Sequence, residues 1–172
     1  MIALRAAITM AVLLQAAAPL SAAGTGGCES FEFPLAAELE WMRRETATPV
    51  AAGATLRAPP AEAMTVTLLP MAVVTFPVPP EGRKGEDATL HGAVIQFESI
   101  AAPGLYQIAL SHKGWIDAVQ DGVTVKSTAH TGKSDCEGLR KAIRFELKSG
   151  PLTVQLSSVH APQVRLTVRK VD

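Results

Sequence analysis

From about residue 63 onward, apolar and polar residues alternate in short segments that turn residues separate. Examples are the runs MTVTLLP (64–70), AVVTFPV (72–78), LYQIALS (105–111) and WIDAVQ (115–120). A period of two places alternate side chains on opposite faces of a strand, so each run is predicted to be a β-strand. No helical pattern separates these strands. Their order predicts an antiparallel β-sandwich or jelly roll rather than a parallel sheet with crossover helices.

Asp121-Gly122 is the strongest turn signal in the chain. It separates the run WIDAVQ from the run VTVKS. Both residue types accept the positive φ angles that a two-residue hairpin requires, so we predict a hairpin here.

The segment before the strands follows a helical pattern. Leu35, Leu39 and Met42 recur at spacings of four and three residues, and Pro34 stands where a first-turn proline loses no needed hydrogen bond. We predict one helix over about residues 34–46, with Trp41 beside its apolar stripe.

The sequence divides into three predicted parts. Residues 1–23 are predicted to be a signal peptide that is cleaved before Gly24. Residues 24–62 are predicted to hold an N-terminal arm, the helix, and a connection rich in Ala, Thr, Pro and Gly over 47–62. Residues 63–172 are predicted to form the β-sandwich domain.

The first 23 residues have the three regions of a secretory leader. Arg5 supplies the positive start, and the apolar run that follows is shorter than the roughly 20 residues needed to cross a bilayer. Ser21-Ala22-Ala23 then supplies the small residues that a signal peptidase reads. The chain is therefore expected to be periplasmic or secreted, with no integral membrane segment after cleavage.

Cys28 and Cys136 are the only cysteines. In an exported chain, two cysteines most simply form one disulfide, which here would tie the mature N-terminus to the polar stretch around Cys136. Lipidation of Cys28 is the alternative, because this residue follows the apolar run closely. Thr25 disfavours it, since lipidation sites carry a leucine-like residue three positions before the cysteine.

The charge balance excludes nucleic acid as a partner. The 16 basic residues match the 16 acidic ones, and loss of the leader removes Arg5 and no acid. A nucleic-acid module normally carries a basic excess, and aromatic residues for base stacking make up only 5% of the chain.

Two stretches hold the candidate binding residues. Trp115 and Asp117 share one face of a predicted strand, where they can form a ligand platform or simply cap the sandwich. The stretch at 127–141 is interpreted as a loop between two strands, fastened by the disulfide. It carries the other candidates for a ligand or partner: His130, Asp135, Arg140 and Lys141.

The spacing of the chemically active residues disfavours catalysis. A zinc site at this loop would need the Cys136 thiolate, which a disulfide removes, and the spacing H-x5-C is not a zinc spacing. No G-x-S-x-G pattern surrounds a serine. The four histidines lie at four different predicted strand ends, without the H-x-H pair of a cupin-type iron site. We therefore predict no catalytic residue, no metal and no cofactor. The histidines are His91, His112, His130 and His160.

Two resemblances extend this interpretation. The stretches APGLYQIALSHKGWIDAVQDGVTV, KAIRFELKSGPLTVQLSS and VRLTVRKV resemble the secreted pre-peptidase C-terminal type of β-sandwich, with its Gly-Tyr strand and aspartate-bearing strand. The mature chain also resembles a group of small exported proteobacterial proteins. That group shares FPL--E--W, GWID-V-DG and C-G-RK--RFEL, matched here from Phe33, Gly114 and Cys136 onward. The second resemblance implies export and no particular activity.

Three functional hypotheses follow. The first is a periplasmic or secreted, non-enzymatic binding or accessory module for an unidentified ligand or protein partner. The second is a small exported metal-dependent enzyme using His130, Asp135 and Asp117. A jelly-roll dioxygenase of the homogentisate type is one example, although such enzymes are far longer than this chain. The third is a structural cell-envelope protein whose helix docks on a larger assembly through Trp41.

Overall fold

The computed structural model describes residues 27–82 and 89–171. The predicted signal peptide lies outside the described residues. Short 3-10 turns occupy Gly27–Glu29 and Met71–Val73. In chain order the helix and strands are α1 (Ala36–Arg43), β1 (Thr48–Ala51), β2 (Thr55–Leu56), β3 (Met64–Thr67), β4 (Leu69–Pro70), β5 (His91–Ile100), β6 (Gly104–Leu110), β7 (Trp115–Gln120), β8 (Val123–Thr124), β9 (Ser127–Gly132), β10 (Lys141–Leu147), β11 (Gly150–Val159) and β12 (Gln163–Lys170).

The strands form two sheets, and the predicted mainly β sandwich with an N-terminal helix is confirmed. The first sheet has the order β1-β3-β12-β6-β10-β9. The second has the order β2-β5-β11-β7-β8, with β4 also paired to β5. Most pairs are antiparallel, but β1 runs parallel to β3 and β2 runs parallel to β5. Both sheets are therefore mixed, through short strands at one edge of each.

The core lies between the two sheets and follows the alternation in the sequence. Ile108 and Phe145 face inward from the first sheet, and Ile95, Ile116 and Leu156 face them from the second. Each of these side chains is at most 2% exposed. Complete burial of one such side chain stabilises a fold by about 1.5–3 kcal/mol, so this interior is the main source of cohesion.

A second apolar cluster covers the outer face of the first sheet. It packs Leu35 and Met42 of the N-terminal region against Leu139 and Ala142. Trp41 is partly buried against the same cluster. The apolar stripe of α1 is therefore already used within the chain, and it is not left over for docking on another assembly.

The helix is shorter than predicted, because it ends at Arg43 rather than near residue 46. Arg44 is already extended, with φ −63° and ψ 140°. The guanidinium of Arg165 donates hydrogen bonds to the carbonyl oxygens of Met42 and Arg44. Carbonyls that lack a helical partner at the C-terminus of α1 are thus satisfied by a neighbouring strand.

The prediction of a connection over 47–62 is wrong, since β1 and β2 lie there. The sandwich consequently begins at Thr48 and not at residue 63. Of the four residues in β1, only Val50 is buried. One inward side chain gives no alternation to detect, so an edge strand of this kind leaves almost no pattern in the sequence.

The strand predicted over 72–78 is also wrong. Residues 71–82, termed here the covering segment, instead cross the outer face of the second sheet. Prolines 77, 79 and 80 lack the N–H that a strand ladder needs. The side chain of Gln155 takes the place of a strand partner. Its Oε1 accepts from the N–H of Val78 at 3.2 Å, and its Nε2 donates to the carbonyl oxygen of Val78 at 3.1 Å.

The hairpin predicted at Asp121-Gly122 is confirmed. Both residues have positive φ, 53° for Asp121 and 75° for Gly122, and they connect β7 to β8. Two consecutive positive φ angles match the twist of paired strands, which is why this turn chemistry specifies a hairpin.

Candidate ligand-binding site

A cavity of about 750 Å³ opens at one end of the sandwich. The β6–β7 turn, the end of β9, the start of β10 and the end of β11 all reach this end. Antiparallel strands bring these points together, although they are far apart in the sequence. Four of the predicted candidates contribute to its wall, namely Trp115, His130, Arg140 and Lys141.

Trp115 and Asp117 form a partly buried polar contact beside the cavity. The indole Nε1 of Trp115 donates to Oδ1 of Asp117 at 2.8 Å, and the backbone N–H of Glu81 donates to Oδ2 at 3.3 Å. Asp117 is only 2% exposed and does not line the cavity itself. Its role is to join Trp115 to the covering segment.

Gly82 fixes the position of the Trp115 side chain. A Cβ atom at residue 82 would lie 2.1 Å from Cγ and 2.2 Å from Cβ of Trp115. The carbonyl oxygen of Gly82 also accepts a hydrogen bond of 2.7 Å from the Ser158 hydroxyl. A glycine is required here because the covering segment passes directly over the root of the indole side chain.

Lys141 lies over the indole ring, with Nζ 4.3 Å from the ring centroid of Trp115. Its ammonium also approaches the carbonyl oxygen of Gly114 at 3.5 Å. Burial lowers the pKa of Lys141, and the negative charge of Asp117 partly opposes this shift. Burial likewise raises the pKa of Asp117, and the hydrogen bond from Trp115 opposes that shift. Both groups are therefore held at partly dehydrated positions beside the indole, with Lys141 over its ring and Asp117 at its N–H.

The stretch 127–141 is not a single loop, which corrects that prediction. Residues 127–132 form β9, an edge strand paired with β10. Its side chains are mostly exposed and rich in Ser and Thr, so only Thr131 is buried and no alternation was visible. As a result His130 is held on a strand at the cavity rim.

Asp135 lies apart from the other candidates. Its Oδ2 accepts a hydrogen bond of 2.7 Å from the backbone N–H of Gly27, beside the disulfide. Asp135 does not line the cavity. Its observed contact is with the N-terminal arm, so we assign it to holding that arm in place.

The predicted disulfide between Cys28 and Cys136 is confirmed. The arm that it anchors runs along β9, where the N–H of Glu32 donates to the Thr131 hydroxyl at 3.1 Å. Glu32 itself reaches the cavity wall. The disulfide therefore helps to position one side of the cavity.

Several lining residues were missed by the sequence analysis of the site. Lys113 lies in the β6–β7 turn, His160 follows β11, and Leu90 precedes β5. None belongs to a motif, and only the sheet order brings them together. The one available signal was their shared position at the ends of predicted strands.

The candidate ligands for a metal do not converge. In the part of the chain that the structure describes, no three His, Cys, Asp or Glu side chains form a group that could hold a metal ion. His130 and His160 both line the cavity, but Asp117 is occupied by Trp115 and Glu81, and Asp135 by Gly27. The trio His130, Asp135 and Asp117 is thus not assembled.

Comparison with known proteins finds no matching family model, no matching curated protein and no matching solved structure. Within residues 27–82 and 89–171, no helix has the length and apolar character to cross a membrane.

Proposed function

We propose that this chain is an exported, non-enzymatic binding module that holds a small molecule in the cavity at the end of its sandwich. The cavity itself carries the proposal. Its volume of about 750 Å³ falls in the range of small-molecule sites, and it combines an apolar wall with several charged side chains. In such a site the apolar surface contacts the body of a ligand, and the charged groups orient it.

Export is supported by two features. The first 23 residues have the pattern of a cleaved leader. The structure contains a disulfide, and disulfides persist mainly in oxidising compartments such as the periplasm. We propose cleavage before Gly24 and a periplasmic or secreted location, in line with the resemblance to small exported proteobacterial proteins.

Intact mass tests the export part of this proposal. The full chain is produced with its own leader in a Gram-negative host, and the periplasmic fraction is analysed. We expect the mass of residues 24–172 less two hydrogens for the disulfide. A full-length chain retained in the cytoplasm would show that the export proposal is wrong, and a lipid mass on Cys28 would replace the disulfide assignment.

The two tryptophans make the binding part testable by NMR. Trp115 lies at the cavity, and Trp41 lies in the cluster beneath the N-terminal arm, so the Trp41 indole signal is an internal control. The oxidised protein is titrated with a set of small anionic, neutral and cationic compounds in equal numbers. We expect some compounds to shift the Trp115 indole N–H signal and leave that of Trp41 unchanged. If no compound shifts the Trp115 signal at millimolar concentration, the cavity is not a ligand site.

A further inference from the structure

The charged side chains around the cavity are mostly positive. Lys113, Arg140 and Lys141 line it, against Glu32 as the one acidic lining residue among those the structure describes. Within the same residues, none of the three cations forms a salt bridge at 4.0 Å or less. Among the described residues, the cavity wall thus presents three positive groups whose charge no carboxylate neutralises by contact.

Asp117 does not change this balance at the cavity surface. Its two carboxylate oxygens already accept hydrogen bonds from Trp115 and Glu81, and it is 2% exposed. It acts on Lys141 through space and not through an ion pair. Because it does not line the cavity, a ligand would meet the cations and not this acid.

Lys141 is a partly buried cation of this wall, and its ammonium contacts the ring face of Trp115 and the carbonyl oxygen of Gly114. Strand β10 turns Ile143, Phe145 and Leu147 toward the core, and Lys141 continues that row at the open end. Its hydrogen bond to Gly114 is long, at 3.5 Å. A partly dehydrated ammonium that contacts one distant carbonyl oxygen and one aromatic ring gains strongly from an anion placed beside it.

The wall also has an apolar part, beside polar residues such as His130 and Thr131. Trp115 and Leu90 both contribute to it, and Leu90 is only 5% exposed. Aromatic and aliphatic walls of this kind bind the carbon framework of a ligand, while a few charged groups set its orientation.

We infer that the cavity binds a small organic anion. The carboxylate or phosphate group lies against Lys113, Arg140 and Lys141, and the apolar body lies against Trp115 and Leu90. This inference rests on the proposed function, because it names the ligand class of the same cavity.

Matched probes test the charge requirement. Phenylacetate, phenyl phosphate and neutral phenylacetamide are titrated separately into the oxidised protein, and the Trp115 indole signal is followed. We expect the anions to bind at least tenfold more tightly than the amide, and to weaken as salt is added. Comparison of the two anions shows whether a carboxylate or a phosphate is preferred.

Single substitutions test which cations are responsible. Lys113→Gln and Arg140→Gln should each weaken anion binding about tenfold, because each removes a charge-assisted contact. Lys126→Gln is the matched control, since Lys126 is exposed near the opposite end of the sandwich. It should leave the affinity unchanged.

The outcomes separate this inference from the proposed function. If phenylacetamide binds as tightly as the anions, or if the two cavity variants keep full affinity, the anion inference is wrong and the cavity still qualifies as a binding site. If the anions fail to bind while a neutral or cationic compound of the larger set shifts Trp115, the inference is again wrong and the binding module stands. If nothing shifts Trp115, the proposed function itself fails.

Discussion

The indole of Trp115 and the carboxylate of Asp117 are joined by a 2.8 Å hydrogen bond between residues two positions apart on β7. The same carboxylate accepts from the backbone of Glu81 at 3.3 Å. Asp117 therefore links the cavity wall to the covering segment. A buried carboxylate in this position makes the stability of the region depend on pH.

The first prediction concerns Asp117→Asn. Burial raises the pKa of Asp117 above its ordinary value of 3.8, so the folded state holds its proton to higher pH than the unfolded state does. The stability contributed by this group is then fully present below pH 3.8 and is lost as pH rises through the raised pKa. As pH rises from 3.8 through the raised pKa of Asp117, the free energy of unfolding of the wild type should therefore fall relative to that of Asp117→Asn. Urea unfolding at a series of pH values measures the difference.

Asp121→Asn is the control for this comparison. Asp121 pairs with Lys148 at 3.1 Å on the surface, and its side chain is 72% exposed. Asp121→Asn should change the free energy of unfolding only slightly at every pH, because most exposed ion pairs contribute little to stability. A wild-type to Asp117→Asn difference that stays constant with pH would contradict the assigned raised pKa.

The second prediction concerns Gly82→Ala. The new Cβ would overlap Cβ and Cγ of Trp115, which are fixed to β7 and cannot swing away like the end of a long side chain. Either the covering segment or the indole must move, and overpacking of this kind costs about 1–3 kcal/mol. Chemical denaturation measures the loss, and the Trp115 indole N–H signal should shift.

Glu81→Ala serves as the neighbouring control. Glu81 is exposed and contributes its backbone N–H to Asp117, which the substitution keeps. It should lower the free energy of unfolding by less than about 0.5 kcal/mol. If Gly82→Ala is equally mild, the covering segment does not hold Trp115 in the way described.

The parts of the fold that were predictable are those with a strong local pattern. Alternation identified strands such as β6 and β7, and Asp121-Gly122 identified its hairpin. The failures have two causes. Strands β1 and β9 lie at sheet edges and bury one side chain each, so their sequences do not alternate. The covering segment does alternate, but its prolines prevent strand pairing and the side-chain amide of Gln155 binds it instead.

The candidate site was predictable only in part, for a related reason. Trp115, His130, Arg140 and Lys141 were chosen by residue type and by position near strand ends, and all four line the cavity. Asp135 was chosen by the same criteria and binds the arm instead. Sequence patterns give the faces of strands, but the meeting of strand ends depends on sheet order, which a single sequence does not reveal.

The third prediction concerns the disulfide. It joins residues 108 positions apart, and on the chain-entropy account a crosslink over a loop of that length stabilises by about 4–5 kcal/mol. Replacing both cysteines by serine should therefore lower the free energy of unfolding substantially. Because the arm positions Glu32 beside Thr131, the Trp115 signal at the cavity should also shift.

A mild reductant on the wild-type protein is the matched comparison. Reduction should lower the free energy of unfolding by the same amount as the double serine substitution, and reoxidation should restore it. If the serine variant unfolds at the same urea concentration as the oxidised protein, then the arm is held by its other contacts and the crosslink adds little.

The fourth prediction concerns the ion pair between Glu38 of α1 and Arg169 of β12. Nε of Arg169 lies 2.6 Å from Oε1 of Glu38. The Glu38 side chain is fully buried, whereas that of Arg169 is 28% exposed. In the described part of the chain, the second oxygen of Glu38 has no hydrogen-bond partner. Removing Arg169 therefore leaves a carboxylate that cannot reach water, and Arg169→Met should cost about 3–5 kcal/mol.

A double-mutant cycle with Glu38→Gln separates charge from packing. In the Glu38→Gln background, Arg169→Met should cost much less, because no buried charge is left uncompensated. Arg44→Met is the surface control, since the Arg44–Glu40 pair is largely exposed and should be worth only about 0.3–0.5 kcal/mol. If Arg169→Met costs the same in both backgrounds, Arg169 stabilises α1 on the sheet through its aliphatic stem rather than through its charge.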